Sequence, residues 1–190
     1  MGTRKSERQK FITEEEFHRI LLAAKDDEQA FMLLWAGGAL GLRVSEAVSL
    51  ERASFKRLAA GVVDVATLKQ KGHPVKPVAV DRATKALFRE YVLNMPKAQQ
   101  WLFESRKLPG CHVSRRHALR VFKEYARLAK LDAAYSFHAL RHYRGCKMWK
   151  ATKDLKFCQS QLRHRQMTTT EKYVHLDEKE AVRMAERVGV

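Results

Sequence analysis

Residues 30–40 are almost entirely apolar, and the run ends at Gly41. A helix with no polar face has to be buried, with the rest of the chain packed around it. Other segments supply that surrounding. Thr13 with Glu16 three residues on is a capping box that starts an earlier helix, and Phe17, Ile20, Leu21 and Ala24 recur along one side of it. A short helix is expected over 44–50. Residues 62–67 alternate like a strand and 75–80 return against it, with Gly72 in the turn. Pro74 and Pro77 push the return strand to a sheet edge. Helices are expected again over 81–94, stopped by Pro96, and over 114–131. The fold class is therefore mainly α with a small antiparallel β-hairpin (α+β), in one domain over 13–177. Residues 1–12 read as a basic N-terminal arm or linker, and 178–190 as a tail helix with Ala181, Met184, Ala185 and Val188 on one side.

Charge narrows the partners. Lys and Arg number 37 against 21 Asp and Glu, a net of +16, and the excess lies mostly after residue 100. Such asymmetry points to a polyanion. On the 114–131 helix, Ala118, Val121, Phe122, Tyr125, Ala126 and Ala129 form an apolar stripe. Arg116, Arg120, Lys123, Arg127 and Lys130 form a basic stripe elsewhere on its surface. Like charges at helical spacing repel, so the basic stripe makes most sense against phosphates, with a solvated face as the plain alternative. No apolar run reaches the roughly 18–20 residues of a membrane span, and no signal peptide is visible. Cys111, Cys146 and Cys158 lack paired spacing, which argues against disulfides and zinc and for packing in a reducing cytoplasm. Trp35 and Trp149 fall on apolar stretches and read as core.

The last third carries a reactive constellation. His138 and Arg141 sit one helical turn apart, His164 follows, and Tyr173 comes nine residues later. Nine residues on one helix rotate by about 900°, which puts two side chains on opposite faces. His164 and Tyr173 can share a site only if the helix breaks between them, and Thr168 with Glu171 is a capping box that supplies the break. Breaking a DNA phosphodiester needs a nucleophile, charge on the non-bridging oxygens and a proton for the leaving oxygen. Between residues 138 and 175 the acids are Asp154 and Glu171, too few for a magnesium cluster. The positive charge must then come from side chains: Arg141 and a second Arg can grip oxygens with forked hydrogen bonds, and Tyr173 can keep the phosphate as an ester. His138 and His142 stand at i and i+4, as in a zinc protease helix, but Ala139 occupies the place of the catalytic Glu, so no metal is expected.

Five boxes in order resemble the tyrosine recombinase (phage integrase) family, from about Phe11 to Asp177. Gly41-Leu42-Arg43-Val44-Ser45-Glu46 resembles the first arginine box, with Arg43 catalytic and Glu46 supporting. Gln70-Lys71-Gly72 resembles the position of the mobile catalytic lysine, Lys71. His138-Ala139-Leu140-Arg141-His142 resembles the second box, Leu162-Arg163-His164 the Leu-Gly-His segment, and Thr169-Thr170-Glu171-Lys172-Tyr173 the segment with the nucleophile. Arg163 replaces the usual glycine. The helix is expected to end less sharply there, and the extra Arg to contact DNA.

The resemblance implies a site-specific recombinase acting on double-stranded DNA through a 3′-phosphotyrosyl intermediate, with no metal or nucleotide cofactor. Tyr173 attacks; Arg43, Arg141 and His164 stabilise the charge; Lys71 protonates the leaving 5′-oxygen; His138 assists proton transfer at the tyrosine. It further implies a tetramer on DNA linked by exchanged C-terminal tails, against a tail folded back on its own domain, and a cytoplasmic, nucleoid-associated protein. Type IB topoisomerase-like relaxation and a non-catalytic DNA-binding remnant remain as alternatives. The family's separate N-terminal DNA-clamping domain has no counterpart here, so the chain is expected to be either a catalytic fragment or a short member.

Overall fold

A computed structural model describes residues 12–68 and 72–164. Its elements are α1 (Glu14–Ala23), α2 (Glu28–Ala39), α3 (Val44–Val48), β1 (Val62–Ala66), β2 (Val75–Ala79), α4 (Arg82–Asn94), α5 (Arg115–Leu128), α6 (His138–Thr152) and α7 (Leu155–Leu162). Two short 3₁₀ turns, Arg52–Phe55 and Leu58–Ala60, join α3 to β1. The fold is thus mainly helical with one antiparallel hairpin, as the sequence predicts.

Local chemistry sets most of these boundaries. The Thr13–Glu16 capping box is reciprocal: Thr13 Oγ1 accepts from Glu16 N at 3.1 Å and Glu16 Oε2 from Thr13 N at 2.8 Å. Helix α2 starts two residues before the apolar run because Asp27 caps it, accepting from Ala30 N at 3.1 Å. Asp81, Ser114 and Asp154 cap α4, α5 and α7 in the same way. The expected helix over 44–50 is shorter, ending at Val48, and that over 114–131 closes at Leu128, followed by Lys130 in the left-handed region (φ 54°).

The apolar helix α2 lies at the centre, touched by α1, α3, α5 and α6. Its Leu33, Leu34 and Ala36 are buried among Phe17, Ile20, Phe122, Phe137 and Leu140 from those neighbours. Close packing against α6 depends on Gly37: a Cβ there would stand 2.7 Å from Leu140 Cδ1 and 2.9 Å from the Phe137 ring. A second, smaller cluster of Met148, Cys158 and Leu162 joins α6 to α7, with Cys146, Trp149 and Phe157 packed against it. Cys146 is only half buried and Cys111 is exposed, so of the three thiols Cys158 alone is a core residue.

The hairpin pairs Val63 with Val78 and Asp64 with Pro77. Its apolar side, Val63, Val65 and Val78, is buried. Pro77, which donates no backbone hydrogen bond, sits in the outer strand, as expected. That outer strand is covered by α7, where Gln161 Oε1 accepts from Ala79 N at 2.9 Å. None of the described helices is long and apolar enough to cross a membrane.

Gly37→Val should destabilise the domain by about 1–3 kcal/mol through overpacking between α2 and the start of α6. Urea unfolding followed by circular dichroism measures this; a value under 0.5 kcal/mol, on the order of a surface substitution, would mean that the contact relaxes freely.

Candidate active site

The site is organised around one buried carboxylate. Arg43 precedes α3 with extended backbone (φ −70°, ψ 153°), and Glu46 in the first turn reaches back to it. Glu46 Oε2 accepts from Arg43 N at 2.9 Å and Oε1 from Arg43 Nη1 at 2.7 Å. Two further guanidiniums come from elsewhere in the chain: Arg163 Nη2 at 3.0 Å and Arg141 Nη1 at 3.6 Å from the same Oε2. Glu46, Arg141 and Arg163 are each no more than 1% exposed. Burial pushes the Glu46 carboxyl up, but Arg163, the Arg43 N–H, Arg141 and Arg43 outweigh it and hold it below the ordinary carboxylate value.

Backbone carbonyls complete the frame. Arg141 Nη1 donates to Gly41 O at 2.7 Å, and its Nη2 donates to Leu162 O. Arg163 Nη2 donates to the same Gly41 O at 3.2 Å. Gly41 adopts φ +60°, and a Cβ there would meet Leu162 Cδ2 at 2.7 Å and Arg144 Cγ at 3.1 Å. Only glycine therefore suits both the turn out of α2 and the approach of α6 and α7 to it.

His164 is delivered by the end of α7. His164 N donates to Gln159 O at 3.1 Å and Arg163 N to Ser160 O at 3.0 Å, the paired bonds of a Schellman motif, with Arg163 in the left-handed position at φ 56°. Two sequence expectations for Arg163 are corrected here. The helix ends as sharply as a glycine would end it, although a side chain at that φ costs about 1–2 kcal/mol. The guanidinium also turns inward to Glu46 and Gly41, so it is no surface contact for DNA. Sequence gives no sign of this, because exposure is the default for Arg.

His164 is 7% exposed. Burial, then Arg141, Arg43, Arg163 and His138, push its pKa down to about 3. It is therefore a neutral imidazole near pH 7, able to donate one hydrogen bond. A phosphate seated beside it would add negative charge and raise that value. His138 opens α6 and is exposed, with its ring edge-on to His142 at 4.6 Å between centroids. Among the described residues, no three His, Cys, Asp or Glu are gathered as metal ligands.

The structure thus brings together Arg43, Glu46, His138, Arg141 and His164. Lys71, Tyr173, the Thr168–Glu171 capping box and the tail lie outside the described residues. Arg116, Arg120, Lys123 and Arg127 line the exposed side of α5, opposite the buried Ala118, Phe122 and Ala126. Arg120 Nη2 lies 3.0 Å from His117 Nδ1, and Lys123 Nζ donates to Ala133 O at 2.6 Å. One residue near the site went unread in the sequence. Arg144, one turn beyond Arg141, packs its stem on Gly41, and burial lowers its pKa against the opposing pull of Asp81. The signal was its i+3 spacing from Arg141.

The sequence profile of the phage integrase family matches residues 10–180. Tyrosine recombinase XerD of Bradyrhizobium diazoefficiens is 32% identical over 151 residues, which cover 74% of this chain and 46% of that protein. XerD of Caulobacter vibrioides is 29% identical over 180 residues, covering 88% and 57%. The chain spans about half the length of these curated relatives. Among solved structures, XerA recombinase aligns with a TM-score of 0.80 at 22% identity, covering 98% of this chain and 66% of the other. XerH bound to its difH substrate in a pre-cleavage complex gives 0.74 at 21%, covering 92% and 53%. At these identities the structural likeness concerns the fold.

Glu46→Gln should cost about 3–5 kcal/mol, because it leaves buried guanidiniums without their counter-charge. The pH dependence has a definite sign. His164 and Glu46 both have folded-state values below their unfolded ones, so both bind protons more readily when unfolded. Stability should fall as pH drops below about 6.5 through His164, and further below about 4.3 through Glu46. Urea unfolding between pH 4 and 8 should show that fall in wild type and a flatter profile in His164→Gln. Equal slopes in the two would contradict a neutral, buried His164.

Proposed function

Since the chain belongs to the phage integrase family, we propose that it is a site-specific DNA recombinase that cuts and rejoins strands through a 3′-phosphotyrosyl intermediate. The observation that carries this reading is the convergence of Arg43 and Arg141 on one buried carboxylate, with His164 under the charge of both, from three stretches of chain in the order the family uses. Such a cluster supplies fixed positive charge and hydrogen-bond donors for the crowded phosphate, which is the main demand of this chemistry. The two catalytic arginines are held by Glu46 and Gly41 before substrate arrives, so little reorganisation accompanies the reaction.

The steps follow from the groups present. The Tyr173 hydroxyl attacks the scissile phosphorus, forming the phosphotyrosyl ester and breaking the bond to the 5′-oxygen. Lys71 supplies the proton that oxygen takes up, and His138 assists removal of the tyrosine proton. Arg43 and Arg141 hold the non-bridging oxygens, and neutral His164 donates a hydrogen bond to one of them. A 5′-hydroxyl from a second duplex then attacks the ester, releases Tyr173 and restores the phosphodiester, so the ester retains the energy for resealing. In this reading residues 13–177 are the catalytic domain, Arg116, Arg120, Lys123 and Arg127 grip phosphates of double-stranded DNA, and the 178–190 tail links protomers into a tetramer. The setting is the cytoplasm, at the nucleoid.

Incubation with supercoiled plasmid in excess EDTA, then denaturing electrophoresis, tests the reaction. Wild type should give relaxed DNA or a protease-sensitive protein–DNA adduct, and Tyr173→Phe should give neither while binding DNA with unchanged affinity. An adduct formed equally by Tyr173→Phe would remove Tyr173 as nucleophile. The helix α5 stripe has its own test: log affinity should fall by about 0.9 per neutralised phosphate against log salt concentration, and Arg116→Ala or Arg127→Ala should reduce that slope by about one unit. An unchanged slope would place the phosphates elsewhere.

A further inference from the structure

Arg163 does something that neither the family reading nor its position before His164 assigns. Its side chain folds back from the end of α7 into the interior. There Nη1 donates to Gln161 O at 2.7 Å, while Nη2 donates to Glu46 Oε2 at 3.0 Å and to Gly41 O at 3.2 Å. Arg141 addresses the same two acceptors, Gly41 O at 2.7 Å and Glu46 Oε2 at 3.6 Å. Two guanidiniums thus compete for one carboxylate oxygen, and Arg163 holds it at the shorter distance. With Arg43 on the other oxygen, three guanidiniums face one carboxylate among the described residues.

A purely structural role would not call for this arrangement. Lys130 and Lys153 close α5 and α6 at nearly the same φ with exposed side chains, whereas Arg163 closes α7 with its guanidinium buried. Its Nε is buried with no hydrogen-bond partner among the described residues, and burial pulls the guanidinium below its ordinary value against the pull of Glu46. Those are unfavourable features for stability. They make sense where a fixed positive charge is useful, beside a phosphate.

We propose that Arg163 is a positioning residue for strand cleavage: by tying Glu46 and the Gly41 carbonyl to the turn that carries His164, it fixes His164 beside Arg141. This rests on the recombinase reading of the site. Arg163 touches no substrate; it acts through Glu46, Arg141 and His164. Its charge also disfavours protonation of His164, which is faced by Arg141, Arg43 and His138 as well.

The test compares the full chain with Arg163→Gly and Arg163→Lys on negatively supercoiled plasmid in EDTA, measuring covalent adduct under single-turnover conditions from pH 5 to 9 and DNA affinity separately. Glycine suits the left-handed backbone, so Arg163→Gly should fold. It should bind DNA within about twofold of wild type and form adduct at least tenfold more slowly, on the order of losing one electrostatic donor. The acid limb of its rate should move to higher pH, and millimolar guanidinium should restore part of the rate. Arg163→Lys keeps the charge without the fork; it should retain the wild-type acid limb but cleave severalfold more slowly, and it serves if the glycine variant is unstable. Wild-type rate and pH profile in both variants would overturn the proposal. So would a loss of DNA affinity that accounts for the whole loss of rate, since Arg163 would then be a DNA contact. A wild type that binds the plasmid but forms no adduct would instead strike the recombinase reading, and this role with it.

Discussion

Glu46 lies in the interior with guanidiniums from three separated stretches of chain, and the positions of α3, α6 and α7 follow from that. A lone charge out of water is costly, and so is a lone guanidinium. Neither side of the cluster is tolerable without the other. Arg43 and Glu46 are joined locally, within one turn, so they form as soon as α3 does. Arg141 and Arg163 arrive only when α6 and α7 dock. Their bonds to Gly41 O are possible because Gly41 presents a carbonyl at the end of the apolar α2. The central helix therefore does two jobs: its side chains make the core, and the turn that leaves it presents the Gly41 carbonyl to the cations of the site.

The helices, the hairpin and the order of the charged boxes were legible because they rest on local rules. Thr13, Asp81 and Ser114 announce helix starts through caps, and the 62–67 alternation announces a strand. The convergence of Arg43, Arg141 and His164 could be expected from the family pattern alone, since no local rule relates residues about a hundred positions apart. Where the reading went wrong, tertiary structure overrode a sound local default. Arg163 was given to solvent because arginines usually are, and its partners, Glu46 and the Gly41 carbonyl, lie far away in sequence. The division of α6 from α7 has no strong signal in the sequence either. Asp154 caps the second helix through Phe157 N at 2.9 Å, but a lone Asp in a charged stretch is a weak signal. Helix α2 starts ahead of its apolar run for a similar reason: its cap, Asp27, is one acid in a row of three.

Helices α5, α6 and α7 share an unusual ending. Lys130, Lys153 and Arg163 follow their last turns with φ of 54°, 53° and 56°, where glycine is the common choice. Each basic side chain sits where the helix dipole is negative, a favourable interaction that offsets part of the backbone cost. In Lys130 and Lys153 the cation remains exposed. In Arg163 the same device is turned inward, so a routine way of closing a helix becomes part of the charged cluster.

Helix α7 is eight residues long, too short to persist alone in water. Its own apolar anchorage is the small cluster of Cys158 and Leu162 with Met148, apart from the main core. Much of what keeps it docked is ionic: Arg141 on the Leu162 carbonyl and Arg163 on Glu46 and Gly41. The free energy for releasing this helix while the rest of the domain stays folded is thus governed by the cations of the Glu46 cluster. Amide exchange in α7 and the reactivity of the buried Cys158 thiol become reporters of electrostatic state. A ligand that draws Arg141 away from Leu162 loosens the helix, and one that adds a bridge between them tightens it. The charge state of the Glu46 cluster and the local folding of α7 are, at this end of the molecule, a single equilibrium seen from two sides.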